Sequence, residues 1–116
     1  MQHKPNKLKL DRFGTLREIL KHAATIKKHK VKGVAGGYAA VLAAVALWSA
    51  ADARNGRVVM PVTRLAATIG SNRVTARRAM AVLRELNLIR PYTRKDGTEV
   101  RGQWLVRHTE RPVEAG

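Results

Sequence analysis

Residues 65–89 read LAATIGSNRVTARRAMAVLRELNLI, and this stretch restricts the fold more than any other part of the chain. Val62, Leu65, Ala66 and Ile69 follow i, i+3, i+4, i+7 spacing, which predicts a two-turn helix ended by Gly70. Asn72 is a good N-cap for a second helix beginning at Arg73. At 100° per residue, Ala76, Ala79, Met80, Leu83 and Leu86 gather on one side. Val74, Arg77, Arg78, Ala81 and Glu85 gather on the other, with Arg73 at the border. Asn87 stands where the helix needs a left-handed residue in order to stop. Two helices joined by a short turn, the second with arginines in its first turns, match the geometry of a helix-turn-helix.

Burial explains the apolar stripe of the second helix and leaves Arg73, Arg77 and Arg78 unexplained. A merely solvated face is the simplest reading of three charges. Against it, no acid stands four residues beyond Arg73 or Arg77, and Val74 sits exposed among them. Arginine bonds guanine through two hydrogen bonds, and a small apolar side chain meets the thymine methyl group. Charge points the same way: 23 Lys and Arg against 8 Asp and Glu give +15, an imbalance that favours a polyanionic partner. Nucleic acid is the leading partner class and an anionic membrane the second. VAGGYAAVLAAVALWSAA, residues 34–51, is barely long enough to span a bilayer, and its apolar character is mostly alanine. It is expected to be the central helix of a small domain, with no membrane involved.

The remaining organisation follows from punctuation. At 116 residues the chain fits one domain. Residues 1–12 are basic and aperiodic, which predicts a mobile arm. Thr15 and Glu18 have capping-box spacing, and Leu16, Ile19, Leu20, Ala23 and Ile26 share a face, predicting a helix from Thr15 to about Lys30. The glycines of VKGVAGG break it and form a flexible joint. The alanine-rich helix is expected from about Tyr38 to Ala53, stopped by Asn55 and Gly56, and RVVMP predicts a short strand closed by Pro61. Beyond the second helix, Ile89–Arg94 and Gln103–His108 flank a turn containing Asp96 and Gly97, as in a hairpin. The expected fold is mainly α with a small β-hairpin: a winged helix-turn-helix over residues 38–108, a basic arm and accessory amphipathic helix over 1–32, and a tail over 109–116.

With those residues in place, LAATIGSNRVTARRAMAVLRELNLI resembles the bacterial winged helix-turn-helix domains of GntR-like regulators and of plasmid and phage replication or control proteins. That family runs a Leu-Ala pair, a turn Gly, a Ser cap, a Thr, a basic pair, an Ala-Leu pair and Gly-Leu-Ile. Here those places hold Leu65 and Ala66, Gly70, Asn72, Thr75, Arg77 and Arg78, Ala79 and Met80, and Asn87, Leu88 and Ile89. Asn72 stands where the family has its serine, so the phosphate contact that the serine makes is not carried over to this position. Only about eight residues follow the hairpin, so the effector-binding domain of a full GntR-like regulator is not expected. The resemblance implies a DNA-binding role, in transcription or as an origin or relaxosome accessory factor; the expected location, cytoplasmic and nucleoid-associated, follows from that role and from the lack of a secretory signal near Met1.

Catalytic readings are weaker. The chain has no cysteine, and nothing near Met1 resembles a secretory signal. His22 and His29 are seven residues apart, too far for joint metal ligation, and are expected to be solvated. Acids are scattered, so no pair is placed for acid/base or two-metal chemistry, and no enzyme, metal or cofactor is expected. Tyr38, Trp48 and Trp104 read as core, while Tyr92 packs or touches phosphate. The expected function is sequence-preferring binding of double-stranded DNA, with non-specific coating of DNA or binding of RNA as the alternative. Asn72, Arg73, Val74, Thr75, Arg77 and Arg78 are the expected reading residues. Arg94, Lys95 and Arg101 of the hairpin are expected to touch backbone, with Lys4, Lys7, Lys9, Lys27, Lys28 and Lys30 as secondary basic contacts. The apolar stripe of residues 16–26 must pack on its own chain or on a second subunit, and a homodimer through that helix is the favoured expectation.

Overall fold

The computed structural model describes residues 8–10, 12–52, 54–107 and 110–112. In chain order the elements are β1 (Leu8–Leu10), α1 (Arg12–Lys21), α2 (Ala23–Lys28), β2 (Lys30–Val31), β3 (Val34–Ala35) and α3 (Gly37–Ala50). Then come β4 (Arg57–Val59), α4 (Val62–Thr68), α5 (Arg73–Glu85), β5 (Ile89–Thr93), β6 (Glu99–Val106) and β7 (Glu110–Pro112). Among the described residues this is an α/β domain of five helices and three small antiparallel sheets, ordered β1-β7, β2-β3 and β4-β6-β5.

The core lies between α3 and α5. Both helices present alanine at their contact: Ala40, Ala43 and Ala44 on α3, Ala76 and Ala79 on α5, all buried. Small side chains let two helix axes approach closely, and the larger Leu47, Val82 and Leu83 fill the space alongside. Burying each such leucine or valine contributes about 1.5–3 kcal/mol. Val58, Met60, Ile89 and Val106 close the far side from the three-stranded sheet and its approach. The 14-residue α3 is shorter than the helix expected to end at Ala53, because Ala51 is already extended and buried. Among the described residues no helix is long and apolar enough to cross a membrane.

The N-terminal region differs from expectation in four ways. The helix expected from Thr15 to Lys30 is divided into α1 and α2 at His22. Because α1 begins at Arg12, Thr15 is a buried interior residue and not a cap, while Glu18 pairs instead with His22 at 3.4 Å. The stripe is covered by its own chain: Ile19 and Ile26 join the core, with α1 and α2 both against α3. The ground for pairing two chains through this stripe is thereby reduced to Leu20, which stays 62% exposed. Finally, the expected arm and tail meet, Leu8–Leu10 pairing antiparallel with Glu110–Pro112, whereas the arm expectation for residues 1–7 lies outside the described residues.

The glycine-rich joint is a defined structure. Val31 and Val34 pair across Lys32 and Gly33, whose φ values of 52° and 80° make a tight two-residue hairpin turn. Gly36 follows, its amide donating to the His29 carbonyl at 3.0 Å. A Cβ placed on Gly36 would stand 2.8 Å from the Ala40 Cβ and 3.0 Å from Val82 Cγ2, so glycine here permits close packing.

Candidate nucleic-acid interface

The α4–α5 unit is held by local hydrogen bonds. Gly70 takes φ 68°, the Ser71 amide donates to the Ala66 carbonyl at 2.8 Å, and the Gly70 amide to that of Ala67 at 3.2 Å. This is a Schellman ending, in which a left-handed residue lets the last carbonyls of α4 find donors. Asn72 then caps α5, its Oδ1 accepting from the Thr75 amide at 2.9 Å. The helix closes by a second Schellman ending on Asn87, at φ 60°, with the Leu88 amide donating to Leu83 at 2.9 Å. Both ends are therefore fixed by residues within six positions of one another.

Between these ends α5 turns one arc to solvent. Arg73, Arg77 and Val74 are exposed, Val74 by 63%, while Arg78, Thr75 and Ala81 are half-buried at the margins. Val82, which the periodicity assigned to neither side, is fully buried because Gly36 packs against it and β2 lies beside α5. Among the described residues none of Arg73, Arg77 and Arg78 has an acidic partner. The exposed arc thus sets one apolar side chain, Val74, among guanidinium groups that have no acidic partner among the described residues.

Two acids mark the edges of that arc. Arg84 bonds Glu99 of β6 at 3.2 Å, so the β5–β6 hairpin borders one edge. Glu85, 100° further round the helix, accepts from His29 Nε2 at 3.0 Å, so the β2–β3 region borders the other. His29 is thus only part-exposed and links two elements, where a solvated histidine was expected. Among the described residues no three His, Cys, Asp or Glu side chains gather as metal ligands.

The β5–β6 hairpin is built at its tip by Asp96, whose Oδ1 accepts from the Thr98 amide at 2.9 Å. That backbone hydrogen bond, with a further hydrogen bond from the Thr98 side chain, holds the Asp96 carboxyl below its ordinary range. The Arg94 amide and carbonyl bond Thr98 and Gly97 across the turn at 2.8 and 2.9 Å. Arg94 and Lys95 are exposed at this tip, and Arg101 is exposed on the same face of β6 as Glu99. β6 begins at Glu99, four residues earlier than expected, and pairs on its other edge with β4 through Val58 and Trp104. Arg57 lies over the Tyr92 ring, 4.0 Å from its centre, and bonds Gln103, which fastens the two outer strands across β6. Trp104 packs against the core as expected, though its buried Nε1 has no hydrogen-bond partner among the described residues.

The secondary lysines divide. Lys28 and Lys30 are exposed near the β2–β3 hairpin. Lys27 is engaged: its Nζ donates to the Tyr38 hydroxyl at 3.1 Å and sits 4.2 Å from the ring centre. Tyr38, expected in the core, is 70% exposed, because the buried face of α3 passes through Ala40, Ala43, Ala44 and Leu47. Lys9 falls in β1, and Lys4 and Lys7 lie outside the described residues. Sequence reasoning passed over Lys32, which is exposed in the hairpin turn. The signal was present as VKGV, a residue and a glycine between two β-branched strand residues. No family model, curated protein or solved structure matches this chain.

Proposed function

We propose that this chain is a winged helix-turn-helix protein of a bacterium or its mobile element that binds double-stranded DNA with sequence preference and acts by occupancy. The observation that carries the reading is the exposed arc of α5, where Arg73, Arg77 and Val74 stand together in solvent on a helix fixed at both ends. A helix entering the major groove by its N-terminal end brings such residues to base edges, arginine to guanine and valine to the thymine methyl. On the same reading β5–β6 is the wing. Arg94, Lys95 and Arg101 then meet phosphate, which adds affinity without reading sequence. A regulator of transcription and an accessory factor at a replication or transfer origin both follow from this activity, in the cytoplasm at the nucleoid.

Selection of bound sites from random duplexes tests the reading and reports stoichiometry through the symmetry of the recovered site. The expected result is a defined sequence, with Arg77→Ala and Arg78→Ala each weakening that site by roughly 1–3 kcal/mol and relaxing preference at particular positions. Recovery of no preferred sequence, with equal binding to RNA, would instead point to a coating protein.

A further inference from the structure

We propose that the β2–β3 hairpin is a second backbone-contacting arm, in which Lys30 and Lys32 hold the phosphates along the border of the groove opposite the one held by β5–β6. The proposal rests on α5 entering the major groove. In the last turn of α5, Arg84 reaches Glu99 on one edge of the exposed arc, and Glu85 reaches His29 on the other. The arc between them carries Val74, Arg77 and Ala81. An α-helix with its side chains is about 10–12 Å across, and the major groove of B-form DNA is about 12 Å wide. A helix seated there fills the groove, so structures bordering its two edges stand over the two phosphate backbones.

The hairpin suits that position. Its base is fastened by the His29–Glu85 contact and by Gly36, packed against Val82. Its turn is short and defined, with consecutive left-handed residues at Lys32 and Gly33. Asparagine, aspartate or glycine occupies the first of these places at least strain, yet here it is lysine, with φ 52°. Lys30 and Lys32 are both exposed, and among the described residues neither has an acidic partner. A short cationic loop with a defined turn, beside an unpaired arginine face, is matched in charge by a phosphate backbone.

The chain has no cysteine, so a single introduced thiol can be labelled uniquely. Iron-EDTA attached to Lys32→Cys is expected to cut a bound duplex along one border of the site. The same reagent on Lys95→Cys is expected to cut along the opposite border. In parallel, Lys30→Gln combined with Lys32→Asn keeps a residue that tolerates the left-handed turn. It should lower the slope of log affinity against log salt by about 1.8 units, at 0.9 for each phosphate contact, and leave sequence preference unchanged. Duplex binding by the full chain with an unaltered salt slope, or with both reagents cutting the same border, overturns the second arm alone. Failure of the full chain to bind duplex DNA overturns the DNA-binding reading as well.

Discussion

Gly36 lies directly against Val82, where a Cβ on the glycine would come within 3.0 Å of Val82 Cγ2. The contact joins the segment leading into α3 to the middle of α5, and the Ala40 Cβ, at 2.8 Å from the same point, leaves no direction of escape. Gly36→Ala should therefore destabilise the fold by about 1–3 kcal/mol through overpacking, although its backbone conformation suits alanine. Denaturant unfolding measures this, and an unchanged or higher midpoint would show that the helices separate freely here.

Ile26 and Leu20 provide a contrast within one amphipathic stripe. Ile26 is fully buried and Leu20 is 62% exposed. Ile26→Ala is expected to cost about 2–5 kcal/mol, whereas Leu20→Ala should stay within about 0.5 kcal/mol. Both variants should melt at temperatures independent of protein concentration. A large, concentration-dependent loss for Leu20→Ala would reveal a second subunit covering the stripe.

Asn72→Ala removes the acceptor of the Thr75 amide and should cost about 1 kcal/mol, with Asn72→Ser recovering most of it. Because the cap also sets the direction in which α5 emerges, the alanine variant should bind its preferred duplex less tightly than its stability alone accounts for. Thermal melts and binding titrations at a temperature where both variants are fully folded separate the two effects.

The Asp96 turn gives a prediction in pH. Its carboxyl is held below the ordinary value of 3.8 by the hydrogen bonds from Thr98, so the charged form is favoured in the folded turn. The contribution is present above that ordinary value and is lost as pH falls through the lower folded-state value. The Thr98 amide resonance should accordingly hold steady from roughly pH 5 to 7 and move only in strong acid. Asp96→Asn, which keeps an acceptor without the charge, should abolish that movement; a transition surviving in the variant would assign it to another group.

The α4–turn–α5 unit was legible in the sequence because its determinants are local. Gly70, Asn72 and Asn87 act on backbone groups no more than five residues away, and the buried Ala76, Ala79, Met80 and Leu83 follow from helix period alone. The same locality makes the exposure of Arg73, Arg77 and Val74 readable before any fold is known. What the tertiary structure decided depends on residues far apart in the chain. His29 meets Glu85 across 56 positions, and Arg57 meets Gln103 across 46. No periodicity encodes those pairings. Val82 sits at the edge of its helix's apolar side, and only the arrival of Gly36 beside it turns that edge into core. Tyr38 goes outward for the converse reason: in a helix apolar on every side, the neighbours choose which face is buried, and α5 meets the face that carries the small alanines.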